Sequence, residues 1–534
     1  MAKKAIKKPK KVKKRPHRKP VVLIVLDGWG LGPANGHGNA IAEARTPVFD
    51  TLYRQYSNTS LKCWGKHVGL HKGQEGNSEA GHFNIGAGRI VKQDIQYISE
   101  SIKDGTFFKN TAFKEAFKHI KKYDKRVHIM GLLSNGNSGH SSPDHMDAIL
   151  KLVRQHKIEK VFLHLFTDGR DSPRFEAINL YNKLEKKLIN GEQIASVMGR
   201  FYAMDRNKLW RRTKLAYQAI ACGQGLVAED ARSAITQAYN RGESDEFIMP
   251  TLIRNGNGSL VSTIQDNDAV VFLNLRSDRA RQLTKAFVQK DFEKENKGAF
   301  KRPCVPQNTR FVAMTDFGPD LPHIFTAFAS RDIKNGLVDV VGHHGYRQLH
   351  IAESEKFAHI TYFLNGGYAK PVSGEDRIHV ASPDVPRYDM VPEMASYKIT
   401  SKVIDAIRSK EYDFIAINFA APDMVAHTGN FQAGVEAAEV IDECVGQISR
   451  VALDKGGVVV VTSDHGNLEE MKNPETGEIV TDHSKNLVPF ILIDKKEFKK
   501  VKLAKEGSLA NVAPTILKIM DLPIPREMTA KPLF

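Results

Sequence analysis

The chain has 534 residues, 41% hydrophobic and 26% charged; this is the composition of a folded globular protein, and the length predicts two large domains or more. It contains no uninterrupted apolar run of the roughly 18 residues needed to span a bilayer, so no membrane partner is expected. The net charge of +17 sits mostly at the start: residues 1–20 hold eleven Lys or Arg and no acid, which leaves +6 for the rest.

That first segment carries three prolines and almost no apolar residues, so it is predicted to be a disordered basic tail. It has none of the Ser that marks a transit peptide. Contact with nucleic acid through it would be weak and accessory, because it has no aromatic residues for base stacking. The four cysteines (Cys63, Cys222, Cys304, Cys444) are scattered without a C-x-x-C. This argues against a disulfide scaffold and fits a reducing, cytoplasmic setting.

Val21–Leu26 reads as a buried strand ending at Asp27-Gly28. Ser78 follows in Gly76-Asn77-Ser78-Glu79-Ala80-Gly81-His82, where glycines leave its hydroxyl uncrowded. Ser78 could equally cap a helix. Val161–Phe166 ends at Thr167-Asp168-Gly169-Arg170, and Ala269–Leu275 at Arg276-Ser277-Asp278-Arg279. Trp210–Ala221 and Gly434–Leu453 are predicted helices. Phe414–Ala420 leads to Asp423-x-x-x-His427, Val458–Val461 leads to Asp464-His465, and His483 lies a little further on. Strands alternating with helices predict α/β layers with largely parallel sheets. Ligands then bind beyond the carboxyl ends of the strands, where these residues fall.

The residue types are segregated. Asp, His and one exposed Ser dominate before about residue 90 and after about residue 420, a donor set suited to Mn²⁺, Zn²⁺ or Co²⁺. Taken singly, an Asp-His pair is more often a cap or an i,i+4 helix contact. Arg170, Arg200, Arg206, Arg276 and Arg279 fall between. Each alone is commonly a surface pair worth under about 1 kcal/mol, and so is Lys356. Together the arginines would form a pocket for a small phosphorylated acid.

The motifs VVLIVLDGWG (21–30), GNSEAGHFNIGAGR (76–89), FTDGRDSPR (166–174), GRFYAMDRNKLWRRTKLAY (199–217) and NLRSDRARQ (274–282) resemble those of the cofactor-independent phosphoglycerate mutases. So do AESEKFAHITYFLNGG (352–367), APDMVAHTG (421–429), TSDHGN (462–467) and TDHSKNLVPF (481–490), and the likeness runs from residue 21 to 534. The resemblance implies an alkaline-phosphatase-like domain (21–92 and 332–534) interrupted by a second α/β, substrate-binding phosphotransferase domain (93–331). Connections near residues 93 and 331 would let the two close.

It implies two divalent metal ions, usually Mn²⁺. One would be held by Asp423, His427 and His483, the other by Asp27, Ser78, Asp464 and His465. Ser78 would be the nucleophile that becomes phosphoserine, with Lys356 beside it. Glycerate would be held by His140, Arg170, Asp171, Arg200 and Arg206, with Asp171 as acid–base, while Arg276 and Arg279 reach the phosphoryl group. One stretch departs from the family: Ser134-Asn135-Gly136-Asn137-Ser138-Gly139-His140-Ser141 is one residue longer than usual and has Asn for Asp. His140 is the best match there and His145 the alternative. A monomer interconverting 3- and 2-phosphoglycerate is expected.

Overall fold

The computed structural model describes residues 20–33, 38–136, 138–318, 320–321, 323–329, 333–473 and 475–534. The basic tail up to residue 19 and the connection near residue 331 lie outside the described residues. Those described form two compact units, one lying within the bounds Met1–Lys92 and Arg331–Phe534, the other within Gln93–Ser330.

In the first unit the described residues form a sheet of eight strands. Its order is Glu375–Val380, Gln348–Glu353, Phe414–Phe419, Val21–Leu26, Val458–Thr462, Val488–Ile493, Ser57–Lys62 and Glu506–Ser508. The first five run parallel, and Val488–Ile493 is antiparallel to both of its neighbours. Val21–Leu26 is apolar throughout because both its faces are covered. Val22, Ile24 and Leu26 pack toward the helices Ser396–Ser409 and Phe431–Asp454. Val21, Leu23 and Val25 pack with the helices Ser78–Ala87 and Val512–Ile519. Each fully buried Leu, Ile or Val contributes about 1.5–3 kcal/mol.

Register decides where the chemistry sits. Leu26 pairs with Phe419 and Val25 with Thr462, so three parallel strands end level. The residues that follow them, Asp27, Ala421–Asp423 and Asp464–His465, therefore emerge at one edge.

The second unit has its own sheet of eight described strands. Its order is Phe325–Phe328, Arg310–Thr315, Ala269–Phe272, Val127–Leu132, Val161–Thr167, Gln193–Gly199, Thr251–Ile253 and Leu226–Ala228. The first six run parallel, and Thr251–Ile253 is antiparallel to Gln193–Gly199. Leu132 pairs with Phe166 and Thr167 with Gly199, so the turns bearing His140, Asp171 and Arg200 leave one edge.

The α/β class expected from the sequence is the one observed, and the predicted helices run Trp210–Cys222 and Phe431–Asp454. The cysteine reading needs correcting. Cys222 and Cys304 form a disulfide although 82 residues separate them, because the end of one helix meets a distant loop at a Cα–Cα distance of 5.6 Å. Cys63 and Cys444 are buried and free.

Candidate active site and metal centre

Ser78 is the first residue of the helix Ser78–Ala87, and the cap is Asn77, whose side chain accepts from the Ala80 N–H. The capping alternative for Ser78 is thus filled by its neighbour, and its own hydroxyl is left for other partners. Ser78 Oγ lies 3.1 Å from Asp27 Oδ1 and 3.0 Å from His465 Nε2. Lys356 Nζ donates to Ser78 Oγ at 2.7 Å, and to Asp27 Oδ1 and Asp423 Oδ2 at 2.6 Å each. Asp27, Ser78, Lys356, Asp423, Asp464 and His465 are all buried.

Such a concentration of buried charge is costly unless compensated. Burial disfavours the charged form of Asp27 and Asp423, but Lys356 together with the neighbouring histidines offsets it and holds both carboxyls well below their ordinary range. The same carboxylates overcome burial at Lys356 and raise its ammonium above the usual Lys value. Burial likewise opposes charge on His465, yet Asp464, Asp27 and Asp423 push it up to about 9.

The ring orientations identify lone pairs. A backbone carbonyl only accepts, so the imidazole nitrogen facing it must carry the hydrogen. His427 Nδ1 donates to the Thr481 carbonyl at 2.7 Å and His483 Nδ1 to the Gly76 carbonyl at 2.8 Å. When neutral, the two rings present bare Nε2 atoms, 3.1 Å apart and each 3.3 Å from Asp423 Oδ1. Three electron-pair donors aimed at one another need a cation. His465 Nδ1 faces the Gly466 carbonyl at 3.3 Å, so it is Nε2 that is directed at Ser78 and Asp27 and would give its lone pair once deprotonated. Asp464 Oδ2 is buried and accepts no hydrogen bond. Imidazole and carboxylate donors with such a buried, unsatisfied oxygen fit divalent ions.

Asp423 lies in the helix Ala421–Ala426 and His427 caps its end four residues on, its N–H on the Asp423 carbonyl, so one helical turn aims both side chains at one point. Three triads come within ligand distance: Asp423, His427 and His483; Asp27, Asp423 and His465; Asp27, His82 and Asp464.

The sequence reading passed over three residues that shape this site. Asn418 Nδ2 donates to Asp27 Oδ2 at 2.7 Å and meets His82 Nε2 at 3.1 Å. His82 in turn holds the Ser78 carbonyl at 2.8 Å and lies 3.3 Å from Asp464. Asn467 Nδ2 donates to Asp423 Oδ1 at 3.0 Å. The available signal was Asn418, one amide in an otherwise apolar buried strand.

The arginine cluster lies within the second unit. Arg200 is buried and donates to Asp168 and Asp171, and Asp171 also accepts from Ser138 Oγ at 2.7 Å. Burial raises the Asp171 carboxyl, but the charge of Arg200 and the hydrogen bonds from Arg200 and Ser138 together offset it and hold it below its ordinary range. Arg206 pairs with Asp278 at 2.9 Å, and Arg276 reaches the same carboxylate at 4.0 Å. Arg170 is more exposed and lies 3.7 Å from Glu246. Burial and the repulsion of Arg200, Arg206 and Arg170 push Arg279 down to about 10. Guanidinium groups crowded in this way form an anion-binding environment. His140 is buried beside them, its ring held neutral by burial and by Arg276, which push it down to about 3. His145 instead faces Ser99 at 3.2 Å from within the helix Pro143–Gln155. The geometry therefore places His140, not His145, with the arginines.

A family model described as the metalloenzyme superfamily matches residues 19–524. The chain is 46% identical over 521 residues to the 2,3-bisphosphoglycerate-independent phosphoglycerate mutase of Thermomicrobium roseum, covering 97% of this chain and 98% of that one. It is equally similar, over the same shares, to 2,3-bisphosphoglycerate-independent phosphoglycerate mutase 1 of Methanosarcina barkeri. Among solved structures it matches Leishmania mexicana phosphoglycerate mutase at low cobalt concentration, with a TM-score of 0.81, 28% identity and 98% of each chain covered. With the serine, the carboxylates and the imidazoles gathered as described, the chain belongs to the metalloenzyme superfamily and, within it, to the 2,3-bisphosphoglycerate-independent phosphoglycerate mutases.

Proposed function

We propose that the chain moves the phosphoryl group of phosphoglycerate by way of a phosphoserine formed on Ser78. As a member of its family it interconverts 3-phosphoglycerate and 2-phosphoglycerate without 2,3-bisphosphoglycerate. The observation that carries the covalent route is the surroundings of the Ser78 hydroxyl. Asp27, His465 and Lys356 lie within hydrogen-bond distance of it in a buried site, which is how a serine is activated at neutral pH.

Asp423, His427 and His483 would hold one divalent ion, and Asp27, Ser78, Asp464 and His465 a second, both Mn²⁺. Such ions supply Lewis acidity and lower the pKa of a bound hydroxyl. Ser78 Oγ attacks phosphorus as its proton passes to the Asp27 carboxylate to which it donates, and the bond from phosphorus to the departing glycerate oxygen breaks. Lys356, 2.7 Å from Ser78 Oγ, stabilises the negative charge that develops there. The other glycerate hydroxyl then takes the phosphoryl group from Ser78 and restores the free serine.

Arg170, Arg200, Arg206 and His140 hold the glycerate carboxylate and hydroxyls, and Arg276 and Arg279 receive the phosphoryl oxygens. Asp171, kept ionised by Arg200 and Ser138 together, accepts the proton of one glycerate hydroxyl and returns it to the other. The enzyme acts as a cytoplasmic monomer.

The test is acid quenching during turnover of phosphoryl-labelled 3-phosphoglycerate, followed by peptide mapping. Label on the Ser78 peptide, absent in a folded Ser78→Ala variant, is expected. Undiminished turnover by Ser78→Ala would end the covalent route.

A further inference from the structure

One buried carboxylate lies among the metal-ligand segments without being a ligand. Glu469 stands on the short turn Leu468–Glu470 and is 2% exposed. Its Oε2 accepts from the backbone N–H groups of Gly30 and Asn467, each at 2.9 Å. Its Oε1 accepts from the Ser484 hydroxyl and, at 3.0 Å, from Asn486 Nδ2. Among the described residues no basic side chain lies within ion-pair distance of it. Four donors therefore take the place of a counter-ion, an arrangement that only a carboxylate can fully satisfy.

The position of those donors gives the carboxylate its meaning. Gly30 follows Asp27 by three residues, Asn467 follows His465 by two, and Ser484 directly follows His483. Other ties join the segments two at a time: the strands Val21–Leu26 and Val458–Thr462 pair directly, the Trp29 N–H reaches Ser463 Oγ at 3.1 Å, the Gly28 N–H Asp464 Oδ1 at 3.3 Å, the Leu468 N–H the Gly28 carbonyl at 2.9 Å, the Leu31 N–H the Leu487 carbonyl at 2.7 Å and the Ser484 N–H the Gly466 carbonyl at 2.9 Å, whereas Glu469 bonds all three. Two glycines make the approach possible. A Cβ on Gly30 would fall 2.2 Å from the Glu469 carboxyl carbon, and one on Gly466 would fall 2.3 Å from Glu469 Oε1. The chain thus omits two side chains to bring three strand-end segments onto one carboxylate.

We propose that Glu469 is a positioning residue that sets the mutual spacing of Asp27, Asp464–His465 and His483 and thereby the affinity for divalent ions. This rests on the metal reading above. None of its hydrogen bonds goes to a ligand side chain; it acts through backbone and neighbouring residues. Outer partners bonded directly to ligands are worth about 10–100-fold in metal affinity, which sets the scale for one that places three ligand-bearing segments at once. Glu469→Gln is the informative change. Its oxygen can still take the two backbone N–H groups and its amide can donate to Ser484, but it then meets Asn486 donor to donor.

The experiment titrates Mn²⁺ calorimetrically into the full-length, metal-stripped protein and its variants, with far-ultraviolet circular dichroism and turnover measured alongside. For Glu469→Gln we expect an unchanged spectrum, Mn²⁺ binding at least about tenfold weaker, and turnover that recovers as Mn²⁺ is raised. A purely structural role would not give that rescue. Wild-type Mn²⁺ affinity in folded Glu469→Gln, or lost turnover that excess Mn²⁺ does not restore, overturns the proposal. Should Glu469→Gln fail to fold, Ser484→Ala removes a single donor and should still weaken Mn²⁺ severalfold; an unaltered affinity there overturns it equally. Failure of the wild-type protein to take up Mn²⁺ would instead strike the metal reading.

Discussion

His427 Nε2 and His483 Nε2 face each other at 3.1 Å, each ring anchored through Nδ1 to a backbone carbonyl. Both nitrogens point at Asp423 Oδ1. Without an ion, a proton must occupy the gap, and Asp423 accordingly raises His427 above its ordinary value. Divalent binding must displace that proton and the one on His465, which its carboxylate neighbours push up to about 9. A raised histidine pKa means more bound proton as pH falls, so metal affinity must fall too. Between pH 8 and pH 6, Mn²⁺ affinity measured by calorimetry should drop by more than about tenfold, with proton release in buffers of different ionisation enthalpy. A pH-independent affinity would contradict this.

Lys356 serves as a resident cation between Asp27 and Asp423. Lys356→Ala leaves two buried carboxylates uncompensated, which should cost about 3–5 kcal/mol in the metal-free protein. Added Mn²⁺ should return most of that stability while turnover stays low. Denaturant unfolding with and without Mn²⁺ measures both quantities.

Arg279 carries the opposite balance. Burial and three neighbouring arginines disfavour its charge in the folded protein. Arg279→Ala should therefore leave the melting temperature equal to or above wild type, while KM for phosphoglycerate rises roughly 10–100-fold through loss of a charge-assisted contact. A clear fall in melting temperature with unchanged KM would show that the residue is structural.

Glu353 ends the strand Gln348–Glu353 fully buried, and its Oε2 has no hydrogen-bond partner. Burial pushes its carboxyl up to about 7 from 4.5. Unfolded chains lose this proton near the lower value and the folded protein near the higher one. Stability is therefore intact below the unfolded pKa and falls as pH rises through this window. Glu353→Gln should be worth about 3 kcal/mol at pH 8 and little at pH 4.5. Thermal unfolding at the two pH values checks the difference, and an equal effect at both would remove the assignment.

Much of the site was legible because parallel strands end where their apolar runs end. Val21–Leu26, Phe414–Phe419 and Val458–Thr462 could be read from composition, and Asp27, Asp423 and Asp464 stand just past them. That the three strands are neighbours, and end level, is a property of pairing that no single segment encodes. Ser78 was ambiguous for a related reason: helix start and reactive hydroxyl look alike until Asn77 is seen to supply the cap. Glu469 was invisible because its partners are backbone N–H groups and short polar side chains, which carry no charge pattern. The Cys222–Cys304 link was hidden by its span. His140 and His145 could not be separated by spacing, and only the burial of His140 beside Arg276 distinguishes them.

The most direct measurement is mutase turnover from 3-phosphoglycerate, with no 2,3-bisphosphoglycerate present, before and after metal removal by EDTA. Metal-dependent mutase chemistry at Ser78 predicts activity in the untreated protein, its loss on chelation and its return with Mn²⁺. Full activity after complete removal of divalent ions, or activity that appears only when 2,3-bisphosphoglycerate is added, would contradict it.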